Sequence, residues 1–295
     1  MKLYIVTPAY NALRWLPSCA RSVADQTSAG IHIHHHIQDG QSTDGTAAWL
    51  QEWAEQHRNM PGYTFSYESA TDDGMYDAIN KAWERMPEDT DITAHLNSDE
   101  QYMPGVLRAV AEEFEKRSEA DLLITSYIVT DLHGNYICHR RPVSPTRWIS
   151  SIITEIITCA CFHRASSFRK HNIRFDTQWK SLGDLFFYRD ILNTKPHIAL
   201  QPGIFATTFC VTGQNLGWSE ITHQEGLLFD SIHSAFTIAL RKPAILLCGL
   251  KRYTCDLFLP PPADYAPYLG NNETRTLKKI KKPTPRWGCR IRGEE

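Results

Sequence analysis

The chain is short of several things, and each shortage excludes a class of protein. No apolar run among its 295 residues approaches the ~20 that a helix needs to span a bilayer, so no transmembrane helix is expected. A secretory leader is not expected either, because Leu3-Tyr4-Ile5-Val6 is too short for a leader core and ends at Pro8. Neither charge sign dominates, with 31 Lys+Arg against 33 Asp+Glu, and no nucleic-acid partner is expected from that balance. None of the eight cysteines forms a CxxC pair. They read as reduced, mostly buried thiols of a cytoplasmic protein, with Cys159 and Cys161 on one face of a core strand. A glycine-rich loop bearing Arg or Lys is missing after the first strand, at Thr7–Asn11, where a nucleotidyltransferase would carry one.

The first half of the chain alternates strand and helix signals. Leu3–Thr7, Ile31–Gln38, Tyr63–Glu68, Ile92–Leu96 and Leu122–Thr125 read as strands. Leu13–Gln26, a segment capped by Ser42 or Thr43 and running to His57, Met75–Arg85 and Pro104–Arg117 read as helices. Strands separated by helices of this size predict an α/β fold with a mainly parallel sheet. In such sheets ligands sit beyond the carboxyl ends of the strands. Further on, Tyr127–Arg141 reads as a hairpin, Asp184–Asn193 as a helix and Ser219–Leu240 as a longer helix. The expected division is 1–215 for the core domain and 216–295 for a mostly helical, basic extension.

Four strand ends carry polar residues suited to a nucleotide. Thr7-Pro8-Ala9-Tyr10-Asn11 leaves the first strand, and Tyr10 can pack near a base or ribose; the plainer reading is a turn into the next helix. Asp39 follows the second strand, where a carboxylate can accept the imide N–H of uracil. Asp44 is read as a helix cap. After the third strand, Asp73, Asp77 and Lys81 share a helical face. They form either a solvated ion-pair ladder or, with Gly74 at the helix start, a seat for a diphosphate. After the fourth, Asn97-Ser98-Asp99-Glu100 offers hard oxygen ligands suited to Mg²⁺ or Mn²⁺.

In order and spacing these segments resemble the inverting glycosyltransferases of family 2, from Leu3 to about Gly213. The resemblance implies a GT-A fold: a Rossmann-like, mainly parallel sheet flanked by helices. It implies a nucleotide-sugar donor, most commonly a UDP-sugar, and a glycan or lipid-linked acceptor in bacterial surface polysaccharide or lipopolysaccharide synthesis. Residues Asn97–Asp99 stand where the family has an Asp-x-Asp motif that binds metal and diphosphate, with Asn97 in place of the first Asp and Asp99 as the metal ligand. Phe162–Ser166, Phe175-Asp176 and Leu182–Phe186 resemble the acceptor side, whose general base falls on Asp184. Thr212-Gly213-Gln214-Asn215 is a loose match to a glycine-containing loop. The chemistry this implies is one displacement with inversion. A carboxylate takes the acceptor's proton, and a metal stabilises the leaving diphosphate. A non-catalytic sugar-nucleotide-binding protein would need no base.

Two further patterns bear on partners. His32, His34 and His36 fall on one face of a strand, where three imidazoles can bind Zn²⁺, but no catalytic segment adjoins them and packing is the preferred reading. Residues 275–292 hold eight basic residues and no acidic one. With Arg241-Lys242, Lys251-Arg252 and interleaved Leu246, Leu247, Tyr253, Phe258 and Trp287 they suggest an anionic membrane surface as partner, at about 1 kcal/mol per charge. The alternative is a solvated tail. The expected location is cytoplasmic, peripheral on the membrane's inner face if that contact is made.

Overall fold

The computed structural model describes residues 1–213, 215–270 and 272–285. It opens with β1 (Lys2–Ala9), α1 (Leu16–Ala24), β2 (His32–Asp39), α2 (Thr46–His57), β3 (Tyr63–Ser69), α3 (Met75–Glu84) and β4 (Ile92–His95). There follow β5 (Gln101–Tyr102), α4 (Val106–Lys116), β6 (Leu122–Thr130), β7 (Tyr136–Arg140), α5 (Arg147–Ser150), β8 (Cys161–Arg164), α6 (Ala165–Lys170), α7 (Gly183–Asn193) and β9 (Ile198–Cys210). The last elements are α8 (Glu220–Ile232), α9 (Ala235–Ala239), α10 (Arg241–Phe258), β10 (Asp264–Tyr265) and β11 (Lys278–Lys279).

Nine strands form one sheet in the order β3-β2-β1-β4-β8-β6-β9-β5, with β7 paired to β6. The run β3-β2-β1-β4 is parallel, and so is β6-β9. β8 is antiparallel to both its neighbours. Period-two alternation along β1 sorts its side chains. Leu3 and Ile5 enter the core under α1 and α4 with Val23, Leu107 and Phe114, while Tyr4 and Val6 enter the one under α3 and α7 with Ile79, Trp83 and Phe187. In that second core Trp83, Phe175 and Phe187 lie nearly parallel, with Phe175 and Phe187 at 4.0 Å between centroids. Asn80 adds a pair of hydrogen bonds to the backbone of Phe175 at 2.9 Å each. This packing ties α7 to α3.

Several expectations need correction. α2 starts at Thr46 after Gly45 in the left-handed region (φ 99°), without a cap from Ser42 or Thr43; Asp44 instead accepts from the Thr46 N–H. The helix expected over Ser219–Leu240 is broken at His233, because the Ser234 hydroxyl accepts from Thr237 N–H and caps a new start. Cys159 lies in a short 3₁₀ turn and Cys161 on β8, so they enter different cores rather than one face. The seven described cysteines are free thiols, and Cys289 lies outside the described residues. β9 was not anticipated: Pro202 and Gly203 interrupt its pattern, and the pairing skips from Thr125–Gln201 to Ser126–Phe205 to pass them.

After α10 the chain returns to the sheet core. Tyr265 packs into it, and the Tyr268 hydroxyl donates to Asp25 at 2.8 Å. Arg275 pairs with the same carboxylate. Part of the basic run is thereby folded inward; Arg286, Trp287, Arg290 and Arg292 lie outside the described residues.

Candidate active site

The parallel strands end together, and the loops beyond them are fastened to one another. Asn11, at positive φ (48°), accepts from Thr43 N–H at 2.9 Å and donates its own N–H to Ser42 Oγ at 2.7 Å. Asp39 is fully buried; Ser42 and Ser69 donate hydroxyls to its carboxylate. Gly40 lets two side chains converge, since a β-carbon there would meet Asp72 Oδ2 at 2.6 Å and the Tyr10 ring at 3.3 Å. Tyr10 is 70% exposed, an aromatic surface left open at the ends of β1 and β2. Thr7 and Pro8 are buried instead. The Thr7 hydroxyl lies 2.9 Å from His35 Nε2, so these two shape the turn from within.

The loop between β3 and α3 is drawn tight by its own charges. Gly74 N–H donates to Asp72 and Asp73 N–H to Asp77, and Gly74 takes a φ of 106° that other residues rarely adopt. Lys81 pairs with Asp77 at 2.8 Å and donates to Thr71 O at 2.8 Å, the ladder arrangement. A second cation, Lys180, donates to Asp73 O at 2.6 Å from the other side. Two lysines therefore flank this loop, and Lys180 had no motif to mark it.

Lys180 begins the segment that leads to Asp184. The buried Glu225 of α8 accepts the N–H groups of Lys180, Ser181 and Leu182. Tyr76 of α3 donates its hydroxyl to Ser181 O at 2.9 Å and accepts Asp184 N–H at 3.3 Å. Asp184 then opens α7, with Oδ1 buried and without a hydrogen-bond partner. Burial pushes its carboxyl up to about 6, against the lowering effect of the Tyr76 hydroxyl.

The turn after β4 completes the site. Asn97 N–H donates to Glu100 at 2.8 Å, and Asn97 Oδ1 is buried without a partner. Burial raises the carboxyls of Asp99 and Glu100, and for Glu100 the charge of Asp99 and then, less, that of Asp184 add to it. The structure thus gathers Asn97, Asp99, Glu100 and Asp184 into one electrostatic neighbourhood; Ser98, half-buried, lies in the same turn. Orphaned oxygens and raised carboxyls are the mark of a place short of positive charge. Oxygen donors of this kind fit a hard divalent cation. Among the described residues no group of three or more His, Cys, Asp or Glu could hold a metal, so an ion here needs ligands from a bound donor or water.

The histidines of β2 are satisfied within the fold. His34 Nε2 and His36 Nδ1 lie 2.7 and 2.8 Å from Ser66 Oγ, and His32 lies 2.8 Å from Thr64 Oγ1. Glu100 stands in the Asn97–Glu100 turn read from the sequence, whereas Tyr76, Lys180 and Glu225 carry no local signal of their roles.

Comparison with known proteins bears on the family and the fold. The family model described as "Glycosyl transferase family 2" matches residues 4–176. No curated protein sequence matches the chain. Among solved structures, Staphylococcus aureus TarS 1-349 in complex with UDP-GlcNAc is similar at TM-score 0.58 and 15% identity, covering 85% of this chain and 66% of that one. The same protein in complex with UDP gives TM-score 0.56, 17% identity and coverage of 83% and 75%. The mannosyltransferase PcManGT from Pyrobaculum calidifontis, in complex with GDP-Man and Mn²⁺, gives 0.52, 15%, 84% and 75%. At these identities the likeness is one of fold, and the fold is GT-A, as expected.

Proposed function

The chain belongs to glycosyl transferase family 2, and we propose that it moves a sugar from a nucleotide-sugar donor to an acceptor hydroxyl with inversion. The observation that carries this reading is Asp184. It is half-buried, with one carboxylate oxygen buried and orphaned and a pKa raised to about 6, at a helix start within electrostatic reach of Glu100 in the Asn97–Glu100 turn. A base poised near working pH is what proton abstraction needs. In the step proposed, the acceptor oxygen bonds to the anomeric carbon, its proton passes to Asp184, and the bond from that carbon to the diphosphate breaks. The nucleoside diphosphate leaves.

The donor's base is assigned to the open face of Tyr10 above Gly40, with Asp39 behind it. The diphosphate is assigned to the region of Asp73, Gly74 and Lys81, where Lys180 adds a second cation, and to the Asn97–Asp99 turn. Asp99, with the Asn97 oxygen, would hold Mn²⁺ or Mg²⁺. That ion would supply charge stabilisation for the departing diphosphate. A UDP-sugar is the proposed donor, with GDP- and dTDP-sugars as alternatives, and similar folds have been solved with UDP-GlcNAc and with GDP-Man. A glycan or lipid-linked acceptor of surface polysaccharide synthesis is the proposed acceptor class. Residues 1–215 are taken as the transferase domain and 216–295 as an extension that reaches back to it through Glu225.

The test is release of nucleoside diphosphate from a panel of nucleotide sugars with Mn²⁺ and candidate acceptors, followed by NMR of the product's anomeric centre. A β-linked product from an α-linked donor supports the reading. Retention overturns inversion, tight donor binding without turnover supports a binding protein, and pyrophosphate release from a nucleoside triphosphate and sugar phosphate supports a nucleotidyltransferase.

A further inference from the structure

The helix α7 carries Asp184 in its first turn, yet its own sequence does not cap it. The first N–H groups of a helix have no partner inside it, and the residue before α7 is Leu182, whose side chain cannot accept a hydrogen bond. A residue of α3 does the capping instead. Tyr76 Oη accepts the Asp184 N–H at 3.3 Å and donates to Ser181 O at 2.9 Å, so one hydroxyl is used both as acceptor and as donor at the helix start. Stacking on Phe175 would be served as well by a phenylalanine; the hydroxyl is what tyrosine adds. The ring is 3% exposed, and a phenol is buried at a cost unless its oxygen is bonded. Burial also holds its pKa well above the ordinary value, so the hydroxyl stays protonated and able to donate. A second tie runs beside it, from Lys180 Nζ to Asp73 O at 2.6 Å.

We propose that Tyr76 is the positioning residue for Asp184: it caps α7 from the helix that follows the diphosphate loop, and so fixes where the carboxyl stands. The proposal rests on Asp184 as the base. A carboxyl takes a proton only from within hydrogen-bond reach of the acceptor hydroxyl, so the placing of the first turn of α7 bears directly on the rate. The other anchor of this segment stops short of it. Glu225 holds the N–H groups of Lys180, Ser181 and Leu182, whereas the N–H of Asp184 is held by Tyr76. The hydroxyl also lies close enough to the Asp184 carboxyl to lower it against the larger effect of burial. Tyr76 stands one residue into α3, two after Gly74 and five before Lys81. The diphosphate seat and the cap of the base helix therefore share α3, and a displacement of α3 moves both.

The experiment is Tyr76→Phe in the full chain, alone and combined with Asp184→Asn. Turnover is followed by release of nucleoside diphosphate from the nucleotide sugar that the panel above selects, and affinity by calorimetry with UDP and Mn²⁺. The change deletes one oxygen and keeps the ring between Phe175 and Gly183, so the fold stands. Turnover should fall about 10- to 10²-fold, the scale of a small misplacement of a catalytic group, while UDP affinity is kept. The kcat/KM profile should rise at higher pH than in the parent, because a group that lowers Asp184 is gone. In the Asp184→Asn background the same change should cost nothing further, since Tyr76 acts through that carboxyl. Unchanged kcat with an unmoved profile overturns the proposal. So does a loss of Tm, kcat and UDP affinity together with an unmoved profile, which is a structural role only. A loss that adds in full to that of Asp184→Asn overturns this proposal alone, whereas near-normal turnover of Asp184→Asn by itself overturns the base reading and this proposal with it.

Discussion

A β-carbon at Gly183 would stand 2.4 Å from Cε2 of Tyr76, so the absence of a side chain before Asp184 is what allows the tyrosine ring to lie under the head of α7. That ring is held on its other side by Phe175, 4.5 Å between centroids, and cannot simply swing away. Gly183→Ala should therefore cost about 1–3 kcal/mol, the range for overpacking, and lower turnover by shifting Asp184. Thermal unfolding and steady-state kinetics measure both; an alanine variant with unchanged Tm and unchanged kcat would show that the contact is slack.

Asp184→Asn tests the base against a mere helix cap, since Asn caps about as well as Asp. The variant should keep its fold and donor affinity and lose on the order of 10²–10⁴-fold in kcat. The pH profile follows from the raised carboxyl. The base works unprotonated, so kcat/KM should rise with pH through about 6 and flatten above it. Near-normal turnover in the variant would refute the role. The other nearby carboxylates are poorer substitutes: Asp176 accepts from Gln178, Asp190 pairs with Arg189 in solvent, and Glu155 is bound by Ser150 and Thr146 N–H.

Asp99→Ala removes the ligand assigned to the divalent ion, and Mn²⁺ should then no longer strengthen donor binding in calorimetry. Asn97→Asp adds charge at the neighbouring oxygen and should tighten Mn²⁺ binding. An Asp99→Ala protein whose donor affinity still responds to Mn²⁺ would place the ion elsewhere.

Glu225→Gln leaves three backbone N–H groups facing an amide in place of a carboxylate. Losing charge-assisted bonds of this kind costs about 1.5–3 kcal/mol. Because Glu225 acts through residues 180–182, kcat should fall more than donor affinity. Equal losses in both, tracking stability alone, would reduce Glu225 to a structural role.

Burial lowers His35 to about 3, between the Thr7 and Tyr63 hydroxyls, lowers His163 to about 3, and holds His34 at about 4. The unfolded chain protonates these rings below their ordinary 6.5, whereas the folded chain does so only below 4 or 3. Stability is therefore lost as pH falls from about 6.5 toward 3, by about 1.4 kcal/mol per pH unit for each ring. His35→Gln, which keeps hydrogen bonding but cannot titrate, should flatten that slope by one such increment in denaturant melts at pH 4 to 6. An identical slope would mean that His35 is already protonated in the native state.

The α/β order, the parallel run of β1 to β4 and the four strand-end motifs were legible in the sequence, because period-two and period-3.6 patterns and turn residues are local properties of the chain. The motif order also pointed to Asp39, Asp99 and Asp184 and to the family. Tertiary structure alone decided what those residues touch. Asp39 is enclosed by Ser42 and Ser69, Thr7 is turned into the core, and Lys81 is held by its own loop. Glu225 reaches residues 180–182 from 43 to 45 positions away, and Tyr76 reaches Asp184 from 108. Contacts between residues so far apart depend on how helices pack across the sheet, and side-chain volume and orientation set that packing only once the chain has closed.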